Sequence, residues 1–120
     1  MACCGAPRKY RRYRALLLEI KRNEADKTVY VAVEGDIDVN SVRQLKKELD
    51  ECIDESQPSI VMDCSRLNYI DSTGLGTLVS ALKKVQKYGG AIKIKALKPY
   101  LFKIFDVTGL TELFEIEVTE

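Results

Sequence analysis

The sequence predicts an α/β fold, a mixed β-sheet with an antiparallel opening hairpin and helices packed mainly on one face. Two observations carry that prediction. The apolar pattern switches between two periods: Val29, Val31 and Val33 alternate with Tyr30 and Ala32, whereas Leu75, Leu78, Val79, Leu82 and Val85 recur at helical spacing. The first is a strand signature and the second one stripe of an α-helix. The order of segments that results, β-β-α-β-α-β-α-β, contains strand–helix–strand units, which require parallel strands joined by right-handed crossovers.

Size and composition narrow the class. A chain of 120 residues fits one domain and can bury roughly two-thirds of its unfolded surface. With 46% hydrophobic and 31% charged residues, it reads as a globule rather than a disordered chain. No apolar run approaches the ~18 residues of a membrane span. Leu16-Leu17-Leu18 is too short for a secretory signal and no cleavage site follows it, so a cytoplasmic location is expected. Histidine is absent, which removes Ser-His-Asp and Cys-His catalysis and most zinc geometries. The four cysteines form no metal pattern: Cys3 and Cys4 are adjacent, Cys52 falls on the apolar face of a helix and Cys64 at a strand end. Free thiols are the default in such a setting, and neither a metal nor a cofactor is expected.

The net charge of +1 conceals an asymmetry. Residues 1–22 hold seven Lys/Arg against one Asp/Glu, and the remaining 98 hold 12 against 17. The body is acidic and the start is basic. Residues 1–14, MACCGAPRKYRRYR, show no apolar period and read as a basic mobile leader, with the folded domain over 15–120. Basic residues interleaved with Tyr10 and Tyr13 could instead touch nucleic acid or an anionic membrane. Five clustered charges give only a weak, salt-sensitive attraction, so no direct nucleic-acid partner is expected.

The segments follow in order. Residues 15–21 and 28–34 read as two strands joined by a short polar connection, hence an antiparallel pair. Gly35-Asp36-Ile37-Asp38 reads as a turn closing the second. Ser41-Val42-Arg43-Gln44 fits a capping box. It opens a helix to about residue 54, with Val42, Leu45, Leu49, Cys52 and Ile53 inward and Lys46, Lys47, Glu48 and Glu51 in water. After Gln57-Pro58, the run Ile60-Val61-Met62 reads as a buried strand. The helix of residues 74–88 follows and stops at Gly89-Gly90. Residues 91–96 alternate Ile92 and Ile94 with Lys93 and Lys95, a strand with one solvated face. Pro99 starts a last helix with Leu101, Ile104 and Phe105 inward, and Gly109 caps it. Phe114, Ile116 and Val118 alternate as a closing strand.

The most informative stretch precedes the central helix. Asp71, Ser72 and Thr73 can each accept hydrogen bonds from a helix's first N–H groups, and on spacing alone they read as a cap. A cap needs one such residue, yet three stand in a row, followed by Gly74 and Gly76. A glycine inside a helix costs about 1 kcal/mol of propensity, but its bare backbone lets another molecule approach closely.

Asp-Ser-Thr-Gly-Leu-Gly after a buried strand, with Gly35-Asp36-Ile37-Asp38 upstream, resembles the STAS domain, and more narrowly the bacterial anti-sigma factor antagonists (anti-anti-sigma factors). The resemblance runs over residues 15–114, and the order of elements agrees with the STAS fold. The family pattern Gly-x-Leu-Asp has Ile37 in place of leucine here and keeps Asp38, while Asp36 adds a further negative charge. Members often close on another helix, which no segment up to Glu120 supplies.

The resemblance implies a binding protein and not an enzyme. It captures an anti-sigma factor that is also a serine kinase, in a partner-switching pathway, and is switched off by phosphorylation of Ser72. A metal-dependent serine phosphatase would reset Ser72. The ATP and metal belong to those partners, and the antagonist is a monomer when free. The same resemblance places Asp36, Asp38, Asp71, Thr73, Gly74, Leu75 and Gly76 on the partner-binding surface. Two other readings stand beside it: a STAS scaffold subunit of a signalling particle or lipid-transport complex, and a nucleotide-binding STAS domain. A glycine-bearing helix N-terminus is an anion site in principle, but there is no P-loop sequence and the acids at 36, 38 and 71 would repel phosphate.

Overall fold

The alternation at Val29, Val31 and Val33 becomes the middle of a six-stranded sheet in the computed structural model, which describes residues 8–13, 16–23 and 25–118. The strands are β1 (Arg8–Tyr13), β2 (Leu16–Asn23), β3 (Thr28–Ile37), β4 (Ser59–Ile70), β5 (Ile92–Leu97) and β6 (Glu115–Val118). Helices α1 (Val42–Ser56), α2 (Ser72–Gln86) and α3 (Pro99–Val107) alternate with β3 to β6, and a 3-10 turn, Leu110–Glu112, precedes β6. In the sheet the strands stand in chain order. β1–β2 and β2–β3 are antiparallel, and β3 to β6 are parallel.

That order explains the layering. Each crossover from β3 onward steps to the next strand in the same direction, so the right-handed rule puts every connecting helix on the same face. Leu18, Val33, Ile60, Met62, Ile92 and Ile94 on that face are at most 2% exposed. They form one core with Leu45, Leu49 and Ile53 of α1, Leu78, Leu82 and Val85 of α2, and Leu101 and Phe105 of α3. Burial of each such side chain stabilises by about 1.5–3 kcal/mol relative to exposure. Phe105 meets Phe114 edge to face, ring centroids 6.1 Å apart. The other face carries Lys21, Tyr30, Asp63, Ser65 and Lys95 in the open.

Several expectations are corrected. Arg8–Tyr13 is an edge strand and not part of a leader, because it pairs along its whole length with Leu16–Lys21. Residues 1–7 and 14–15, with Cys3 and Cys4, lie outside the described residues. The turn expected at Gly35 to Asp38 is strand as far as Ile37: β3 continues, β4 carries an extra residue at each of the two register shifts, beside Glu34 and Asp36, and Gly35 supplies a φ of +112° that glycine adopts at least cost. Glu48 is buried, at 4% exposure. It stands three residues after Leu45 and four before Cys52, so helical spacing puts it on the apolar face. The capping box does not form: Ser41 makes no side-chain bond to α1, and the side-chain oxygen of Gln44 has no hydrogen-bond partner.

Candidate functional site

The parallel strands β3 and β4 end side by side, with Ile37 opposite Ile70, and this common end holds the residues singled out in the sequence. After β3, the chain turns through Asp38 to Ser41 into α1. After β4, Asp71 leads directly into α2. The two turns are fastened together by the Asp71 N–H, which donates to the Ile37 carbonyl at 3.1 Å.

The first turn is held by Ser41, which is fully buried. Its hydroxyl donates to the Asp36 carbonyl at 2.8 Å and accepts from the Asp38 N–H at 3.1 Å. The Asp38 carboxylate accepts from the Asn40 N–H at 2.9 Å, and the Asp38 carbonyl accepts from Ser41 and Val42. Ser41 thus fixes the loop that carries the acids rather than the helix that follows. The signal was present as Asp-x-x-Ser, an acid three residues before a hydroxyl, but it competed with the capping-box pattern.

The second turn separates the three polar residues by function. Asp71 is the N-cap of α2 and accepts from the Gly74 N–H at 3.0 Å. Thr73 donates its hydroxyl to the same carboxylate. That bond, aided by the N–H groups of Gly74, Thr73 and Val39, holds the Asp71 carboxyl below the usual carboxylate range against a smaller opposing effect of burial. Ser72 is exposed. Its hydroxyl engages none of the described residues, so the cap is made by Asp71 and braced by Thr73 without it.

The glycines divide in the same way. A Cβ on Gly74 would lie 2.7 Å from both Ile37 and Ile70, so this glycine lets α2 settle on the two strand ends. Gly74 and Leu75, expected on the partner surface, are buried instead. Around Gly76 nothing comes within 4 Å of a Cβ, and the position is exposed on the helix. The fold does not require that glycine. Asp36, Asp38 and Asp71 are half-buried, and Thr73 is exposed. Two apolar residues not anticipated join this rim: Val39, 68% exposed, and Tyr69, 48% exposed and paired in register with Asp36.

Grooves of about 430 and 450 Å3 lie elsewhere, on the helix-free face of the sheet around Ala32, Asp63 and Ser65. Among the described residues, no group of three or more His, Cys, Asp or Glu could hold a metal, and no helix is long and apolar enough to cross a membrane. The Ser72 end is an acidic rim with one unengaged hydroxyl at a helix start, suited to a macromolecular partner.

Residues 19–120 match the family model of the STAS domain. The chain belongs to the STAS family. This STAS domain is 35% identical over 99 residues to the anti-sigma-B factor antagonist of Bacillus subtilis strain 168, covering 82% of this chain and 88% of that one. Its fold superposes on the anti-sigma factor antagonist SpoIIAA in unphosphorylated form with a TM-score of 0.70, at 19% identity, covering 95% and 90% of the two chains. The phosphorylated form of the Bacillus cell fate determinant SpoIIAA superposes with a TM-score of 0.64, also at 19% identity, over 95% and 93%.

Proposed function

We propose that this STAS domain is an anti-sigma factor antagonist, a binding protein whose partner is an anti-sigma factor serine kinase and whose switch is phosphorylation of Ser72. The observation that carries this reading is the idle, exposed hydroxyl of Ser72, between the capping Asp71 and the Thr73 that braces it. A kinase can reach it without unfolding anything. The kinship with the anti-sigma-B factor antagonist supports the choice of partner class.

Phosphorylation adds about −1.5 to −2 charges at pH 7. Within the domain, the N-terminus of α2 favours the new anion by up to ~1 kcal/mol, and the nearby Asp71 and Asp38 oppose it, so the fold persists. A bound partner has no such compensation. Unpaired charge in an interface costs ~2–5 kcal/mol, enough to end binding. The contact surface in this reading is Asp36, Asp38, Asp71, Thr73 and Gly76, extended by Val39 and Tyr69. Gly74 and Leu75 serve it from beneath by seating α2. A serine phosphatase acting on phospho-Ser72 completes the cycle, in the cytoplasm.

The test is direct phosphorylation by the anti-sigma kinase with ATP, followed by mapping of the phosphopeptide. Phosphate on Ser72, and none on the Ser72→Ala variant, is the expected result. Phosphate on Thr73, or no transfer to a folded protein, would remove the reading.

A further inference from the structure

A specific protein interface covers about 800 Å2 on each side, roughly 20–30 residues, so a patch centred on Ser72 reaches on the order of 16 Å in every direction. The acidic rim supplies only a fraction of that. On the side of Ser72 away from β3, the strands splay. β4 pairs with β5 from Ile60 to Asp63, yet it continues beside β3 to Ile70. Side chains from the turn into α3 bridge the gap. Tyr100 donates its hydroxyl to the Asn68 carbonyl at 2.6 Å, and Lys98 donates its ammonium to the Asn68 side-chain oxygen at 3.2 Å.

Tyr100 is thus held at both ends, by the first turn of α3 and by β4, and is still 53% exposed. A ring fixed in advance loses little side-chain entropy when a partner covers it, and tyrosine is among the residues that dominate interface energies. Tyr69, the residue after Asn68, is 48% exposed, so two half-exposed rings meet the chain at consecutive residues. Asn68 stands four residues before Ser72, no more than roughly 14 Å away even in fully extended chain, and lies inside the patch.

We propose that the anti-sigma kinase also docks on the start of α3, with Tyr100 as the aromatic anchor of the interface and Lys98 as its cationic border. This rests on the reading of Ser72 as the phosphoacceptor for that partner. Charge sets the orientation. Asp36 and Asp38 stand on the β3 side of Ser72, and Lys98, whose ammonium meets a neutral amide, stands on the β5 side. A partner that fits both presents basic side chains to the β3 turn, and an apolar pocket edged by a carboxylate to Tyr100 and Lys98. Turned end for end, it would set like charges together on both sides. The division of charge therefore admits one register of Ser72 against the kinase.

Calorimetric titration of the anti-sigma kinase with unphosphorylated protein tests this. Tyr100→Ala should bind at least about tenfold more weakly. Tyr100→Phe keeps the ring and loses only the bond to Asn68, so it should stay within about threefold of wild type. Lys98→Glu should bind more weakly at low salt, with the gap closing at high salt. Val107→Ala, at the far end of α3 and 83% exposed, should bind like wild type. Full-strength binding by Tyr100→Ala overturns the extended surface and leaves the Ser72 reading standing. So does a Tyr100→Phe or Val107→Ala protein as weak as Tyr100→Ala, which would make the tyrosine a structural tie. Lys98→Glu removes no apolar contact, so its binding as tightly as wild type at low salt overturns the proposal even if Tyr100→Ala loses stability. A wild type that does not bind the kinase at all removes both readings.

Discussion

At the start of α2, adjacent residues do separable work, and single substitutions read each one. Asp71→Ala removes the N-cap and should cost about 0.5–2 kcal/mol. Asp71→Asn keeps a capping oxygen but cannot titrate. The Asp71 carboxyl is held below its ordinary value, first by the Thr73 hydroxyl, against an unfolded value of about 3.9. Its contribution is therefore full above roughly pH 4 and is lost as pH falls through the depressed folded value. Thermal melts from pH 5 to pH 2 should show wild type losing stability more steeply than Asp71→Asn; parallel curves would mean the carboxylate is not held as described. The two glycines should respond in opposite senses. Gly74→Ala drives a methyl into Ile37 and Ile70 and should destabilise by about 1–3 kcal/mol. Gly76→Ala should stabilise by up to about 1 kcal/mol through helix propensity while weakening partner binding. A Gly76→Ala protein that binds at full strength would show that nothing approaches that backbone closely.

The elements differ in how far the sequence disclosed them. Where apolar residues recur on one face, as in β3 and α2, the assignment follows from spacing. Glu48 shows the cost of reading charge before spacing: the helical period put it with Leu45 and Cys52, and the structure buries it there. β1 was illegible for a physical reason, since Arg-Lys-Tyr-Arg-Arg-Tyr has no apolar alternation and forms a strand only by pairing with β2. β4 was half-legible: its buried run at Ile60 to Met62 stood out, but the register shifts opposite Glu34 and Asp36 break the period as the strand continues to Ile70. At the site, the Ser41 hydroxyl belongs to the loop between β3 and α1, where it satisfies the Asp36 carbonyl and the Asp38 N–H. Ser41→Ala removes a fully buried hydroxyl and leaves both backbone groups short of a partner, which should cost about 1–3 kcal/mol. Chemical denaturation compared with the exposed control Ser65→Ala would check this, and an equal effect at both positions would contradict it.

For the whole molecule, topology was readable because successive right-handed crossovers leave little choice of layer, whereas the juxtaposition of the β3 and β4 turns required the fold itself. The single core also predicts a chemical property. Cys64 is 2% exposed, and burial pushes its thiol up to about 12, so its reaction with a thiol reagent at pH 8 should proceed only at the rate of global opening. Labelling of the native protein as fast as of an unfolded control would mean the core opens locally. The central claim is that charge on Ser72 acts at the interface and not on the fold. The most direct test is calorimetric titration of the anti-sigma partner with unphosphorylated and Ser72-phosphorylated protein, the two having matched melting curves. The account predicts that phosphorylation weakens binding at least tenfold, about 1.4 kcal/mol or more. Equal affinities for the two forms would contradict it.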